Sequence, residues 1–395
     1  MDQITVGILG LRRGITHLHN FLTVPEARVI AAADRLPDRQ AEGRRLLEPV
    51  GGKMVAEFEE LLAMQPDAVV VASNGRMQCQ HACQALEAGC HVLSEVPGAF
   101  TLEEWVRIRD TVQRTGNQYM LGENCSFLNF IRYWRKWIAA GQYGEMSLAE
   151  AEYLHYLPHT LTNADGRFFT PSEARQQGLR GLVPTWRADQ PPIQYLTHDL
   201  GPLLEVLDDR VMSVTCRSGP WRCPEAPLRP DGQIALFTTE KGLLIQILVT
   251  LNTVRPSEHR YRLFGTGGSL EWSWYEGFCR RFLAGMEESK GWERVDIAVA
   301  TSETDKQMGH GGMDVNLARH FVWALHRGKT VPIDVYRSIE YSLPGIIAAQ
   351  SADLGGTPLA VPDLRLKPFR GTAFWDYVGF PEDEPEGRPM PPSAA

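Results

Sequence analysis

The sequence predicts an α/β fold: a doubly wound parallel sheet at the N-terminal end, followed by an α+β domain with a large, mainly antiparallel open sheet. Three observations carry this. Ile4, Val6, Ile8 and Leu9 form an apolar strand that runs into a tight turn at Gly10–Gly14 and then a helix. Asp67–Ala72 (D-A-V-V-V-A) is a continuous apolar run, as in a central strand buried on both faces. After residue 210 the chain changes character, giving short strands joined by turn residues rather than alternating strands and helices.

Composition sets the bounds. The chain has 395 residues, 43% hydrophobic and 22% charged, which suits a globular protein of two ordinary domains. A net charge of −8 with no basic block argues against a nucleic-acid or anionic-membrane partner. No apolar run is long enough to span a bilayer, and Met1-Asp2-Gln3 leads straight into the first strand without a signal peptide, so a cytoplasmic protein is expected. Seven cysteines at irregular spacing suit reduced thiols. Cys79, His81 and Cys83 lie close together on one expected helix with no second ligand cluster, so they are expected to pack, and no metal is expected.

The first half follows in order. The Gly10 turn is the strand–turn–helix of a dinucleotide-binding Rossmann fold, although Arg12 and Ile15 stand where a full G-x-G-x-x-G has glycine and Gly14 comes one place early. Ala27–Ala33 is a strand ending at Asp34, where an acid meets the adenosine ribose hydroxyls and disfavours a 2′-phosphate; the adjacent Arg35 works in the other direction. A helix from about Asp38, a short strand near Met54–Ala56 and a helix at Phe58–Met64 lead to the central run. A helix over Met77–Ala88 and a strand at His91–Ser94 follow, then Glu95-Val96-Pro97 at the end of the strand. Thr101-Leu-Glu-Glu104 has a capping-box pattern and opens a helix. The strand at Tyr119–Gly122 runs into Glu123-Asn124-Cys125-Ser126-Phe127.

A strand-ending Glu-x-Pro followed one helix and one strand later by Glu-Asn resembles the Gfo/Idh/MocA family of sugar oxidoreductases. Most members have lysine where this chain has Val96. The pairing of S-E-V-P with L-G-E-N-C-S-F resembles one branch, the NAD-dependent α-N-acetylgalactosaminidase family of glycoside hydrolases. The resemblance implies NAD as cofactor. The residues expected to hold it are Gly10, Arg13, Gly14, Asp34, Asn74, Gly75, Arg76, Gln78, Glu95, Val96, Asn124 and Tyr195.

The second half is expected to bind substrate. Met146–Tyr156 reads as an alternating strand and matches the branch's E-x-x-Y-x-H, which puts Tyr153 in the substrate site. Leu157–Val183 is irregular, with a helix start at Thr170-Pro171-Ser172-Glu173, and is expected to cover the site mouth. Arg187 follows Trp186, a pair able to bind a sugar by hydrogen bonding and stacking. Tyr195-Leu196-Thr197-His198-Asp199-Leu200-Gly201-Pro202 resembles the branch's Tyr-Pro-Thr-His-x-Leu-Gly-Pro, with Tyr195 and His198 one helical turn apart. Strands are expected at Val211–Cys216, Gln233–Thr239, Leu243–Thr250, Arg260–Gly265 and Ser269–Trp272, with one sheet face free for a second subunit; the family resemblance implies a homodimer or homotetramer. Ser257 stands where the branch has a substrate-touching tyrosine. His310, in the H-G-G-M-D stretch, is a further candidate for the site, with Asp314 the expected cap of the next helix. The last helix is expected at Asp334–Ala349. The domains are expected at 1–124 and 125–364, with 365–395 an extended tail.

The expected catalytic set is His198, Tyr195 and Tyr153. One reading is hydride transfer from a pyranose, at C3, to NAD+, with His198 as the base that titrates nearest neutrality. A second makes that oxidation the first step of a hydrolysis: the C3 ketone acidifies the C2 proton, the C1 group is eliminated, water adds and the ketone is reduced, with Tyr153 the base at C2. A third is a silent sensor of NAD and sugar, which Arg12 in the turn would favour.

Overall fold

The computed structural model describes residues 3–225, 229–297 and 307–365. In chain order the first elements are β1 (Ile4–Leu9), α1 (Gly14–Phe21), β2 (Ala27–Ala33), α2 (Pro37–Leu47), β3 (Lys53–Val55) and α3 (Phe58–Leu62). Then come β4 (Ala68–Val71), α4 (Gln78–Glu87), β5 (His91–Ser94), α5 (Leu102–Thr115), β6 (Tyr119–Leu121) and α6 (Asn129–Ala139). A long strand β7 (Met146–Leu154) is followed by β8 (Leu161–Thr162), β9 (Phe168–Phe169), α7 (Pro171–Gln176), β10 (Val183–Pro184) and α8 (Thr197–Leu207). Next are β11 (Val211–Ser218), β12 (Gly232–Thr239), β13 (Leu244–Thr250), β14 (Glu258–Gly265), β15 (Gly268–Ser273), β16 (Phe278–Leu283) and β17 (Glu293–Val295). The last are α9 (Met313–His326), α10 (Val335–Asp353) and β18 (Leu359–Ala360).

The described residues divide into two compact units. One holds residues 3–127, 307–339 and 364–365; the other holds 128–225, 229–297 and 340–363. The chain thus returns to the first unit for α9, a segment that the sequence reading groups with the second half. The segment beyond Arg365, expected as a tail, lies outside the described residues.

The first unit is built on a six-stranded sheet in the order β3-β2-β1-β4-β5-β6, with every pair parallel. Its centre is β4, whose Ala68-Val69-Val70-Val71 is fully buried, as its unbroken apolar sequence demands. Thr101 caps α5 by accepting from the Glu104 amide, while the Glu104 carboxylate takes the Phe100 amide instead of closing the box. In α9, Phe321 meets Phe21 of α1 edge to face at 6.4 Å.

The second unit carries a nine-stranded sheet, β17-β16-β15-β14-β7-β13-β12-β11-β18. It is mainly antiparallel, as expected, with β7 and β13 its parallel pair. The strand expected over Met146–Tyr156 stops at Leu154, and Tyr156 keeps an isolated bridge to Asn252. In the irregular segment, Thr170 and Glu173 close a full capping box on α7. Three short strands there, which the sequence did not signal, form a small sheet β10-β8-β9. Behind the large sheet, Phe130 of α6 stacks on Trp272 at 4.5 Å and touches Trp134 and Tyr261.

Gly10 shows how tightly the first turn is built. Its φ is 84°, and a Cβ there would lie 2.7 Å from the Ala72 carbonyl oxygen at the end of β4. Gly10→Ala is therefore expected to cost about 1–3 kcal/mol from backbone strain, read as a lowered urea midpoint in nucleotide-free protein.

Candidate functional site

The first unit gathers its candidate residues at the carboxyl ends of parallel strands, where sheets of this topology bind ligands. The turn after β1 holds Gly10 and Arg13, and Gly14 opens α1 with no side chain capping it. Asp34, just after β2, accepts from the Leu11 amide at 2.6 Å and the Leu36 amide at 2.9 Å. The acid expected at a ribose is thereby also a brace for the glycine turn, and each oxygen keeps a second lone pair. After β4, Asn74 caps a short helical turn through the Arg76 amide, Gly75 lies within that turn, and the Arg76 guanidinium lies over Phe100 at 4.3 Å. Gln78 is buried; its Oε1 accepts from the Gly98 amide at 3.0 Å and its Nε2 reaches the Val96 carbonyl at 3.5 Å. It holds the Glu95-Val96-Pro97 turn, which contains a cis peptide before Pro97.

Arg13 joins these pieces. Its Nε donates to Glu95 at 2.9 Å, and its Nη1 and Nη2 donate to the two oxygens of Asp314 at 2.9 and 2.8 Å. His17 Nε2 meets the same Glu95 oxygen at 2.6 Å. Asp314, wholly buried, also accepts from Asn124 Nδ2 at 2.7 Å and contacts His310 Nδ1 at 2.8 Å. Asp314 was expected to cap α9, but Gly312 occupies the cap position and the carboxylate is turned to Arg13. His310, a candidate for the substrate site, joins this first-unit network, at φ 43°.

The charges explain one another. Burial pushes the Glu95 pKa up, but the Arg13 charge and the His17 hydrogen bond outweigh it and leave the acid at about 2. Burial acts on Asp314 in the same sense; the His310 bond and Arg13 hold it well below the usual carboxylate range. Burial would lower Arg13, and its two carboxylates raise it.

The second unit collects Tyr153, Tyr195, His198 and Arg187. Tyr153 lies on the inner face of β7, directly across from His259 of β14. Tyr195 ends a 3-10 turn, Pro192–Tyr195, so it is not on one helix with His198, which lies in the first turn of α8. The Tyr153 ring stacks on His198 at 5.4 Å and 13°, with Tyr195 at 5.1 Å. Arg187 Nη2 donates to the Tyr195 hydroxyl at 2.9 Å, and its guanidinium lies 4.2 Å over Trp186, which in turn stacks on Tyr195. Buried Arg229 holds this corner through the main-chain carbonyls of Arg187 and Leu157 and the Asn252 side chain.

The Leu-Gly-Pro after His198 has a mechanical meaning. Proline has no N–H, so Pro202 cannot donate to the carbonyl four residues back, which is that of His198. The Tyr261 hydroxyl supplies that hydrogen bond at 2.5 Å. Gly201 is needed because a Cβ would meet the Tyr341 ring at 2.9 Å. The histidine is thus held by its own backbone as well as by stacking on Tyr153.

Sequence reasoning missed His17, Asp199 and His259. His17 lies four residues after Arg13, the spacing that places two side chains on one helical face. His259 shares a strand face with Tyr261 and Leu263, a period-two signal that the late start assigned to β14 hid.

Two outcomes follow from this geometry. Both network carboxylates have folded pKa values below their unfolded ones, so their stabilisation is present above about pH 4 and lost as pH falls toward about 2. Arg13→Met leaves them buried without a cation, and a loss of about 3–5 kcal/mol is expected at pH 7, with a flatter acid limb in urea titrations. Tyr261→Phe orphans the His198 carbonyl and is expected to cost about 1–3 kcal/mol in the same assay.

Comparison with known proteins fits this division. Residues 4–123 match the family model described as "Oxidoreductase family, NAD-binding Rossmann fold". Residues 231–369 match "Glycosyl hydrolase 109, C-terminal domain". Among similar proteins, a glycosyl hydrolase family 109 protein of Porphyromonas gingivalis is 25% identical, covering 96% of this chain and 86% of its own. Glycosyl hydrolase family 109 protein 1 of Bacteroides fragilis is 26% identical, covering 92% and 86%. In fold, the chain is similar to an inositol dehydrogenase homolog of Azotobacter vinelandii solved with NADH and myo-inositol (TM-score 0.71, 20% identity, 91% of this chain and 98% of that one). It is similar also to a levoglucosan dehydrogenase solved with NADH and levoglucosan (TM-score 0.74, 19% identity, 91% and 100%). In chain order, then, the protein has an NAD-binding Rossmann domain similar to those of the Gfo/Idh/MocA oxidoreductases, followed by a C-terminal segment similar to the glycosyl hydrolase 109 C-terminal domain.

Proposed function

We propose that the protein is an NAD-dependent enzyme acting on a pyranose sugar or glycoside, with hydride transfer at C3. The observation that carries this is His198, fixed by Tyr153 stacking and by the Tyr261 hydroxyl, beside Tyr195 and the Trp186–Arg187 pair. Bound NAD+ supplies the hydride acceptor.

The residues of the first unit fit that cofactor. Gly10 leaves no Cβ against Ala72, α1 begins without a side-chain cap, and Asp34 stands at the end of β2. Arg13 and Glu95 satisfy each other, so their part is to hold the turn and the Glu-x-Pro strand end in place. On the substrate side, His198 takes the C3 hydroxyl proton as the hydride leaves. With Val96 in place of the family's lysine, histidine is the group whose ordinary pKa suits that task at neutral pH. Trp186 and Tyr195 offer flat apolar faces to a sugar ring, and Arg187 offers donors to its hydroxyls.

A second reading is a redox-assisted glycosidase in which the C3 ketone permits loss of the C1 group and the hydride is returned. Two observations favour it: the glycosyl hydrolase 109 match over residues 231–369, and further basic side chains, His155 and His259, beside Tyr153. Ser257, where that branch has tyrosine, points to a sugar other than N-acetylgalactosamine.

Reduced cysteines suit a cytoplasmic enzyme: all seven lack disulfides. Among the described residues no helix is long and apolar enough to cross a membrane. The outer face of the large sheet exposes Met212, Ile234, Leu236, Leu244 and Leu148, which supports a homodimer or homotetramer.

The test is to denature the purified protein and assay released NAD(H), then offer the native protein 4-nitrophenyl pyranosides of glucose, galactose and N-acetylgalactosamine, with and without added NAD+. Aglycone released without added cofactor means the glycosidase. NADH formed only with added NAD+ means the dehydrogenase. His198→Ala is expected to lower either rate by at least about 100-fold; a variant with full activity removes His198 from catalysis. No turnover on any sugar, with nucleotide still bound, sinks both readings.

A further inference from the structure

His198 accounts for one proton, and the second unit holds titratable groups that this step does not use. Asp199, the next residue, is wholly buried. One of its oxygens lies 3.5 Å from His259 Nδ1. His259 Nε2 lies 3.4 Å from His155 Nε2. The contact between the imidazoles is a long hydrogen bond; that between Asp199 and His259 is an ion-pair distance that has yet to close to a hydrogen bond, as is common in ligand-free catalytic sites. The Tyr153 ring packs against all three imidazoles, at 4.2 Å from His155, 4.9 Å from His259 and 5.4 Å from His198.

With Asp199 ionised and His259 neutral, the order of these groups favours one set of tautomers. An ionised Asp199 can only accept, so His259 carries its proton on Nδ1. His259 Nε2 is then an acceptor, and the proton between the two rings belongs to His155 Nε2. That leaves Nδ1 of His155 as the lone-pair nitrogen of the neutral chain. We propose that Asp199 and His259 are positioning residues that hold His155 in this tautomer, making His155 the second proton acceptor of the site, directed at the carbon next to the newly formed ketone.

The proposal rests on the reading that a C3 ketone is formed, and it moves the second base from Tyr153 to a histidine. Ordinary pKa values decide between them. A tyrosine near 10 is about one part in a thousand phenolate at pH 7, whereas an imidazole near 6.5 is mostly the free base. In the step, the C2–H bond breaks, its electron pair enters the enolate of the C3 ketone, and the proton goes to His155 Nδ1. The resulting charge is spread toward Asp199 as the His155 Nε2 proton moves to His259. The enolate either takes a proton back at C2 or expels the C1 substituent with the bonding pair. Hydride acceptance by NAD+ precedes this step, and no further oxidant is needed. Tyr153 then acts as the aromatic surface against which the two imidazole bases, His198 and His155, are packed.

The experiment uses the same 4-nitrophenyl pyranosides in D2O with the full-length holoprotein. It follows NADH by absorbance and deuterium at C2 by NMR. For the wild type, both signals are expected. The ratio of C2 exchange to NADH formation is expected to fall at least tenfold in His259→Asn and in Asp199→Asn. It should fall also in His155→Ala, where added imidazole restores part of it. Melting temperatures identify any variant that fails to fold, and Asp199→Asn, the smallest change, then carries the result. Ratios at the wild-type value in folded Asp199→Asn and His259→Asn overturn the relay and leave the functional reading standing. NADH without C2 exchange in the wild type does the same. A wild type that forms neither NADH nor aglycone from any of the sugars overturns the functional reading, and the relay with it.

Discussion

One half-buried guanidinium organises the first unit. Arg13 bridges to Glu95, 82 residues away, and to Asp314, 301 residues away. Its two carboxylate partners are almost wholly removed from water, so neither is tolerable without the cation. That all-or-none character gives the contact its structural value. It fixes the glycine turn after β1, the Glu-x-Pro end of β5 and the start of α9 with one set of hydrogen bonds. The Arg13 charge is thereby used inside the unit.

The second unit solves a comparable problem with a neutral device. A helix that must present a histidine near its N-terminus has to keep its first turn from fraying. Here a proline removes one rung of the helix ladder, and a tyrosine from the neighbouring sheet replaces it. The hydrogen bond from Tyr261 ties α8 to β14, and β14 also carries His259. Helix position, histidine position and strand register are therefore coupled. Tyr153 lies across from His259 because β7 pairs with β14 in a register that its alternating burial enforces.

How much of this was legible in the sequence depends on range. The apolar run of β4, the capping box at Thr170 and the turn at Gly10 follow from residues within a few positions of one another. The pairing of Arg13 with Asp314 was not legible, because nothing near either residue marks a partner some three hundred positions away. Asp314 was read as a cap for the same reason, since its local surroundings suit a cap equally well. In the second half, the motif around His198 gave a residue type and a spacing. It did not say that Tyr195 would sit on a separate turn, or that the proline after the histidine frees its carbonyl. His259 escaped because the strand expected from the sequence begins at Arg260, which leaves the imidazole in the preceding turn and off any face.

That distinction bears on chemistry. The features legible from sequence concern how the nucleotide turn is made and where one base lies. The features that separate the two reaction outcomes lie in long-range packing: whether a second base stands beside the first, and what holds its tautomer. A dehydrogenase needs one proton acceptor and gains nothing from a second aimed at the neighbouring carbon, since an enolate would only risk losing the substituent at C1. A redox-assisted glycosidase needs both, held apart so that neither neutralises the other. His198, His155 and His259 all pack against the Tyr153 ring, so the second unit brings together more than one base of the kind the longer reaction would use. The packing around Tyr153 is thus the place where the two proposed reactions would differ.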